Sequence, residues 1–484
     1  MESSGKVSRR QRNARSRPGT KVELQFVNVV PNRQEQKAET QAIIRANAAH
    51  FHWRHNRPPR DKCKLKKSRD SVVHDHDEVN SCTSLQLKNT QLGFDVVDPF
   101  SSYECDLPRD FVNRCITFNA QVILPALFPG DADNFNIRAN LLQLSISNPC
   151  MLHMFIIGAL INSQGTPGAI PTDRIVHDVF RSRAEIVRRM STVMGDPVEA
   201  CKDINIFAIT ALVKIGQFKK VDVPLKTPNQ GPLRSLQFMS SFGLMASDPV
   251  HFDGLSRLIE LKGGLEKIEM PGLAALISFA GLLIGTRDLT APRYPVVTLS
   301  CPPKEFIFQH QGAGFSIDQD LYIVLSMLNS YTMMIDDFSE GRKDLTATVL
   351  IDHRNTTQHA LLSLPPMVGS SECYRLAALI YSLLVIFPLP YIASPFQCLV
   401  TQLKIALTGW DGSDQMLIWV LTMGGIGAMG LGERGWFVNK FRRAVARMGV
   451  RSWNEAREVI KMGLWFEATN DRDGIDFWLE SQNV

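Results

Sequence analysis

Apolar residues recur at helical spacing along most of the chain, from about Leu92 onward, in stretches that proline and glycine separate. Residues three to four positions apart share one face of an α-helix, whereas strands require alternation at every second position. Such alternation is rare in this sequence. The pattern therefore predicts an all-α fold, with a multi-helix domain over residues 91–484 and a basic arm and linker over residues 1–90.

Helix-start and helix-stop signals frame several of these stretches. A first helix is predicted to begin at Thr172-Asp173 and to end at Gly195. Asp196-Pro197 predicts the start of the next helix, with Asp196 as N-cap and Glu199 reaching back as in a capping box. The run from Ser452 to Glu455 predicts a second capping box. The apolar face predicted for the first stretch comprises Val176, Val179, Phe180, Ile186, Val187 and Met190.

Two polar interruptions marked by proline and glycine, residues 218–235 and 341–371, are predicted to be long surface loops. Two apolar stretches raise the question of a membrane. Residues 376–390 are shorter than the ~20 residues that a bilayer requires, and residues 415–432 contain five glycines. Both are interpreted as buried helices, so no membrane partner is expected.

Positive charge is concentrated at the start of the chain. Residues 1–70 hold 18 Lys and Arg against 6 Asp and Glu, although the net charge of the whole chain is only +5. Residues 1–20 are too polar to form a core, which predicts a disordered arm. Two basic clusters are expected to contact DNA phosphates nonspecifically or to act as nuclear import signals, with a solvated tail as the alternative. The clusters consist of Arg9, Arg10, Arg12, Arg15, Arg17, Lys62, Lys64, Lys66, Lys67 and Arg69.

The nine cysteines are scattered and never form a C-x2-C pair, which predicts reduced thiols inside the cell. Metal-ligand residue types do occur together, as His50, His52 and His55 ahead of Cys63, and as the run His74-Asp75-His76-Asp77. Neither spacing matches a structural zinc site. We interpret these histidines as solvated, and no metal site is expected.

Other chemical motifs also have structural interpretations. Gly425-x-Gly427-x-x-Gly430 matches a dinucleotide-binding fingerprint, but it lies among helical patterns rather than after a strand, so close helix packing is expected. The paired carboxylates Asp336-Asp337 and Asp318-x-Asp320 are interpreted as helix-end charges. No G-x-S-x-G, P-loop or H-E-x-x-H motif occurs. The sequence therefore predicts no catalytic residues, no cofactor and no enzyme activity.

Several landmarks along the chain form a set. One stretch runs from His251-Phe252-Asp253-Gly254-Leu255 through Leu261-Lys262-Gly263-Gly264-Leu265 to Pro292-Arg293-Tyr294-Pro295. Trp419 precedes a cluster of glycines, and Trp453 precedes the last amphipathic stretch. Together these landmarks resemble the fungal-specific transcription factor domain family, a branch of the zinc-cluster transcription-factor-like proteins.

The resemblance implies a helical regulatory domain that forms oligomers or responds to an effector, in a nuclear transcription regulator or co-regulator. Its partners would be other transcription regulators or a second copy. The family's DNA-reading module needs six closely spaced cysteines that share two zinc ions. Cys63 and Cys82 are the only cysteines before residue 100, so we expect that module to be absent. The alternatives are a helical protein-interaction protein that does not bind DNA and, third, an enzyme or membrane-associated protein.

Because the chain has no closely spaced thiolates, the purified protein is expected to contain no stoichiometric zinc and to keep its fold in a chelator. Elemental analysis checks the first outcome, and circular dichroism before and after chelation checks the second. One tightly held zinc ion per chain would contradict the prediction.

Overall fold

The computed structural model describes residues 105–130, 132–162, 173–213, 226–243, 247–300, 318–342 and 345–483. Within these ranges the regular elements are helices, and no strand occurs. The all-α prediction is thus confirmed. The basic arm, both basic clusters and the histidine-containing runs lie outside the described residues, and the domain division at residue 90 stays a prediction.

The first part of the described chain is a succession of helices of unequal length. They are α1 (Arg109–Phe118), α2 (Leu124–Leu127), α3 (Ala132–Ser147), α4 (Pro149–Asn162), α5 (Asp173–Val193), α6 (Pro197–Ala200), α7 (Asp203–Val213), α8 (Met239–Phe242), α9 (Pro249–Lys262) and α10 (Leu273–Asp288). A π-helical turn, Asn119–Ile123, joins α1 to α2.

The second part continues in the same way. Its helices are α11 (Gln319–Ser339), α12 (Ala347–Ser363), α13 (Gly369–Tyr381), α14 (Phe396–Ala406), α15 (Asp414–Gly427), α16 (Arg434–Arg447), α17 (Trp453–Ile460) and α18 (Glu467–Gln482). A second π-helical turn, Ser382–Ile386, extends α13.

Two hydrophobic cores hold these helices together. The first core gathers buried side chains between positions 107 and 294, and the second gathers buried side chains between positions 239 and 478. Helix α10 contributes to both, because Leu276 packs in the first core and Phe279 in the second. A helix that is apolar all round needs cover on every side. Helix α10 obtains that cover by lying between the two cores.

The predicted helix starts are present, but neither predicted capping box is complete. Asp196 accepts a hydrogen bond from the backbone N–H of Val198 at 2.9 Å, which confirms Asp196 as the N-cap of α6. The carboxylate of Glu199 does not reach back, because it pairs at 2.6 Å with the lysine three residues further on. Ser452 Oγ accepts from the backbone N–H of Glu455 at 3.3 Å and caps α17. The Glu455 carboxylate accepts from the backbone N–H of Arg451 at 2.8 Å instead of from that of Ser452.

Helix α5 has the predicted position, but its buried face is narrower than predicted. Val179, Ile186 and Met190 are buried, whereas Phe180 is 61% exposed and Val187 is 43% exposed. Successive helical residues point about 100° apart. The stripe that packs into the first core therefore excludes the two exposed apolar side chains.

The prediction of a long surface loop over residues 341–371 is wrong. Helix α12 occupies most of this range, and its side chains are largely buried. The loop was expected because the range is polar and marked by proline and glycine, and such segments usually face water. Its middle contains the polar run Asp352-His353-Arg354-Asn355. Here these polar groups find protein partners instead.

No single helix among the described residues is long and apolar enough to cross a membrane. Only a pair taken together, Asn134–Ser147 and Pro149–Asn162, reaches the length and composition of a span, and this pair is bent by 112°. The two apolar stretches noted in the sequence overlap the buried helices α13 and α15, which pack in the second core.

The glycine cluster that matches a dinucleotide fingerprint lies at the end of α15. Gly424 and Gly425 lie against the rings of Phe437 and Phe477, which leave no room for a Cβ. An ideal Cβ on Gly427 would lie 3.0 Å from Cγ2 of Ile380. The glycines thus allow α15 to pack closely against α13, α16 and α18, and the packing interpretation is confirmed.

Gly425→Ala is expected to destabilise the fold by about 1–3 kcal/mol, because the added methyl group overlaps the Phe477 ring in a well-packed core. Gly435→Ala in α16 is the matched control, since a Cβ there meets nothing within 4 Å. The control should be neutral or stabilising by less than about 1 kcal/mol. Denaturant unfolding measures both, and equal midpoints for the two variants would contradict the packing role.

Candidate functional site

Helix α12 carries a group of buried polar side chains where an interior helix usually has apolar ones. An unpaired buried polar group costs about 1–3 kcal/mol, so most such side chains find partners in the protein. The Thr357 hydroxyl is an exception among the described residues. The contacts of the others therefore identify what the helix holds together. The members with less than a tenth of their surface exposed are Thr348, Asp352, Arg354, Asn355, Thr357 and Gln358.

Arg354 lies at the centre of this group and is fully buried. Its Nη1 donates to the carbonyl oxygen of Leu236 at 3.1 Å, and its Nη2 donates to Gln237 Oε1 at 2.5 Å. Its Nε and Nη2 also donate to Asn355 Oδ1, at 3.2 and 3.0 Å. The guanidinium thus joins α12 to the segment that precedes α8.

The charge of Arg354 is stabilised without an ion pair in the described part of the chain. The guanidinium carbon lies 5.5 Å from the ring centroid of Phe279 and 5.2 Å from that of Phe387. Burial lowers the pKa of Arg354 to about 10, so the group remains protonated at neutral pH. Neutral acceptors and two aromatic faces therefore replace water around the cation.

Two consecutive residues of the segment held by Arg354 have left-handed backbone. Gln237 has a φ of 57° and Phe238 a φ of 55°. This conformation costs about 1–2 kcal/mol for a residue with a Cβ. Because the Leu236 carbonyl and the Gln237 side chain both accept from Arg354, the buried guanidinium offsets this cost and fixes the turn that enters α8.

Two further side chains of α12 bind the segment that follows α10. Asp352 accepts hydrogen bonds from the backbone N–H groups of Leu299 and Ser300, at 2.8 and 2.9 Å, and from the Ser300 hydroxyl at 2.5 Å. His359 Nε2 donates to the carbonyl oxygen of Tyr294 at 3.1 Å. Helix α12 therefore fixes this segment at its middle and at its last described residues.

Two more polar links join α12 to other elements. Thr348 Oγ1 donates to the carbonyl oxygen of Pro129 at 2.7 Å and accepts from Asn134 Nδ2 at 3.2 Å. Gln358 Nε2 donates to Thr286 Oγ1 of α10 at 3.1 Å.

A serine and a histidine also meet on α12. Ser363 Oγ lies 3.4 Å from His359 Nδ1 but donates its proton to the His359 carbonyl oxygen at 2.8 Å. The polar network of α12 can hold segments of both cores in register.

The carboxylates singled out in the sequence are helix-end charges, as predicted. Asp318 is the N-cap of α11 and accepts from the backbone N–H groups two and three residues further on. Asp336 and Asp337, at the other end of α11, both accept from Arg342. No group of three or more metal-ligating side chains occurs among the described residues. The ten basic residues predicted to contact nucleic acid, Arg9 to Arg69, lie outside that part of the chain.

Sequence reasoning missed α12 and its network. Two signals were available: the helix has 17 residues without proline or glycine, and Thr346 before it is a suitable N-cap. Thr346 Oγ1 indeed accepts from the backbone N–H of Val349 at 3.3 Å. The contacts of Arg354 themselves have no local signal, because they join residues 117 and 118 positions apart.

A family model covers the C-terminal helices. Residues 316–481 match the family described as fungal specific transcription factor domain. The match includes α12 and runs from the start of α11 to the last turn of α18, about a third of the chain. No curated protein and no solved structure matches the chain.

Arg354→Met is expected to destabilise the fold by about 2 kcal/mol or more. Three acceptors lose a donor, at about 1–3 kcal/mol for each one left unpaired, and removal of a buried charge offsets part of this cost. Arg257→Met is the matched control, since its pair with Glu260 is exposed and should contribute less than about 1 kcal/mol. Denaturant unfolding compares the variants. A loss no larger for Arg354→Met than for the control would refute the central role of the guanidinium.

Proposed function

We propose, from the match of residues 316–481 to the fungal-specific transcription factor domain family, that the protein is a nuclear transcription regulator or co-regulator. In this proposal the helical body forms oligomers or responds to an effector, and the basic arm supplies nuclear import and nonspecific DNA affinity. The family match is the observation that carries the proposal, since the domain indicates a fungal transcription regulator.

The distribution of charge supports a role for the arm. Residues 1–70 carry a surplus of 12 positive charges, and with a net charge of +5 the remainder carries −7. DNA attracts the first part and repels the second, because duplex DNA is a dense line of negative charge. The two clusters between Arg9 and Arg69 are therefore the part of the chain best suited to phosphates.

In this proposal the helical body binds proteins or a ligand and does not recognise DNA sequence. This sequence contains no cysteines spaced as in the family's zinc cluster, and phosphate contacts alone carry no sequence information. Promoter specificity would therefore come from other transcription regulators or from pairing with a second regulator subunit. A helical interaction protein that does not contact DNA is the alternative.

Replacing the ten basic residues of the clusters by Gln is expected to weaken binding to arbitrary duplex DNA by at least about tenfold at low salt, and to flatten its salt dependence, because each neutralised phosphate releases counterions. Fluorescence anisotropy across a salt series measures both quantities. A fluorescent fusion expressed in fungal cells reports the accompanying loss of nuclear accumulation.

A charge-conserving variant is the control for this experiment. Lys→Arg at Lys62, Lys64, Lys66 and Lys67 keeps the charge and should keep both the affinity and its salt slope. If the Gln variant binds DNA as tightly as the wild type, the DNA-binding surface lies in the body. If the wild type itself does not bind DNA, the interaction-protein alternative replaces the proposal.

A further inference from the structure

A half-open apolar cavity of about 120 Å³ lies at the first core, where the π-helical turn after α1 faces α4 and α7. An engineered cavity of about 150 Å³ in another protein stays dry and takes up benzene, whereas drug-sized ligands need roughly 300 Å³ or more. The space in this protein therefore suits one six-membered ring. Its wall includes Asn119, Ile123, Phe155, Gly158, Phe207 and Thr210.

One polar side chain in this wall has an unused acceptor. Asn119 is only 4% exposed, and its Nδ2 donates to the carbonyl oxygens of Cys115 and Phe155, both at 2.8 Å. Two carbonyl acceptors require a nitrogen at that position, so the assignment of Nδ2 and Oδ1 follows from chemistry. No donor among the described residues reaches Oδ1.

The free oxygen lies at the cavity. An ideal Cβ on Gly158 would stand 3.4 Å from Asn119 Oδ1 and 3.6 Å from Cδ1 of Ile123, and all three residues line the same space. Thr210, the other polar member of the wall, already donates its hydroxyl to the carbonyl oxygen of Ile206 at 2.8 Å. The cavity thus presents one acceptor in an otherwise apolar wall.

The local backbone explains why this space exists. Pro125 in α2 has no N–H, so the helix that begins with α1 cannot continue with regular bonding through that point. The chain widens into the π-helical turn, in which the N–H of Leu124 bonds to the carbonyl oxygen of Asn119 five residues back. Opposite this turn, Gly158 has no side chain to fill the gap. Such turns often occur at functional sites.

We propose that this cavity binds a small, neutral aromatic molecule with one hydrogen-bond donor, of the size and polarity of phenol, whose donor meets Asn119 Oδ1 and whose ring fills the apolar space. This proposal rests on the proposed function in one respect: the ligand would be the effector to which the helical body responds. Its binding requires neither DNA nor the basic arm, so it succeeds or fails independently of the DNA-binding experiment.

Isothermal titration of the full-length protein with phenol, and separately with benzene, tests the proposal. Gly158→Ala is the informative variant, because its methyl group has ordinary contact distances and yet stands against Asn119 Oδ1 inside the cavity. It should weaken phenol binding at least fivefold. Gly254→Ala, the same change in helix α9 with nothing within 4 Å of the new Cβ, should leave phenol binding unchanged.

The outcomes are distinct. Phenol binding that is tighter than benzene binding, and that Gly158→Ala weakens while Gly254→Ala does not, supports the site and its single acceptor. Absence of phenol binding up to millimolar concentration overturns the proposal. Equal phenol affinity in the wild type and Gly158→Ala would place the ligand elsewhere. Benzene binding as tight as phenol binding would show that Asn119 has no role. Either result also overturns the proposal.

Discussion

The guanidinium of Arg354 is a buried positive charge that neutral groups stabilise. Its donors reach Leu236, Gln237 and Asn355, and two phenylalanine rings cover its faces. A charge removed from water is tolerated only when such partners surround it closely. The segment before α8, helix α10 and the π-helical turn after α13 must therefore keep their positions around α12. The arrangement of the two cores depends on this requirement.

Other polar contacts of α12 extend the same constraint outward. Asp352 holds the segment after α10, and Thr348 holds the loop before α3. These bonds are directional, so they specify one alignment of neighbouring helices, whereas apolar contacts tolerate small shifts. The buried polar helix therefore adds specificity to packing that hydrophobic burial drives.

Helical periodicity predicted the fold class because each helix carries its pattern locally. It located α5 but misassigned Phe180 and Val187, since the face that packs depends on a neighbour distant in sequence. It failed for α12, where buried and exposed polar residues look alike until their partners are known. The acceptor of Asn119 was equally unpredictable, because its surroundings come from α4 and α7. The basic clusters, by contrast, follow from composition alone.

Helix α10 lies between the two cores, and Arg354 binds residues far from it in sequence. Both features determine where the chain can be cut into fragments that still fold. The family match begins at residue 316, yet Leu236, Gln237 and Phe279, which surround the guanidinium, all precede it. A fragment cut at that point would keep the buried cation and lose most of what replaces water around it. The matched segment, residues 316–481, is therefore smaller than the part of the chain that must be inherited, expressed and folded together.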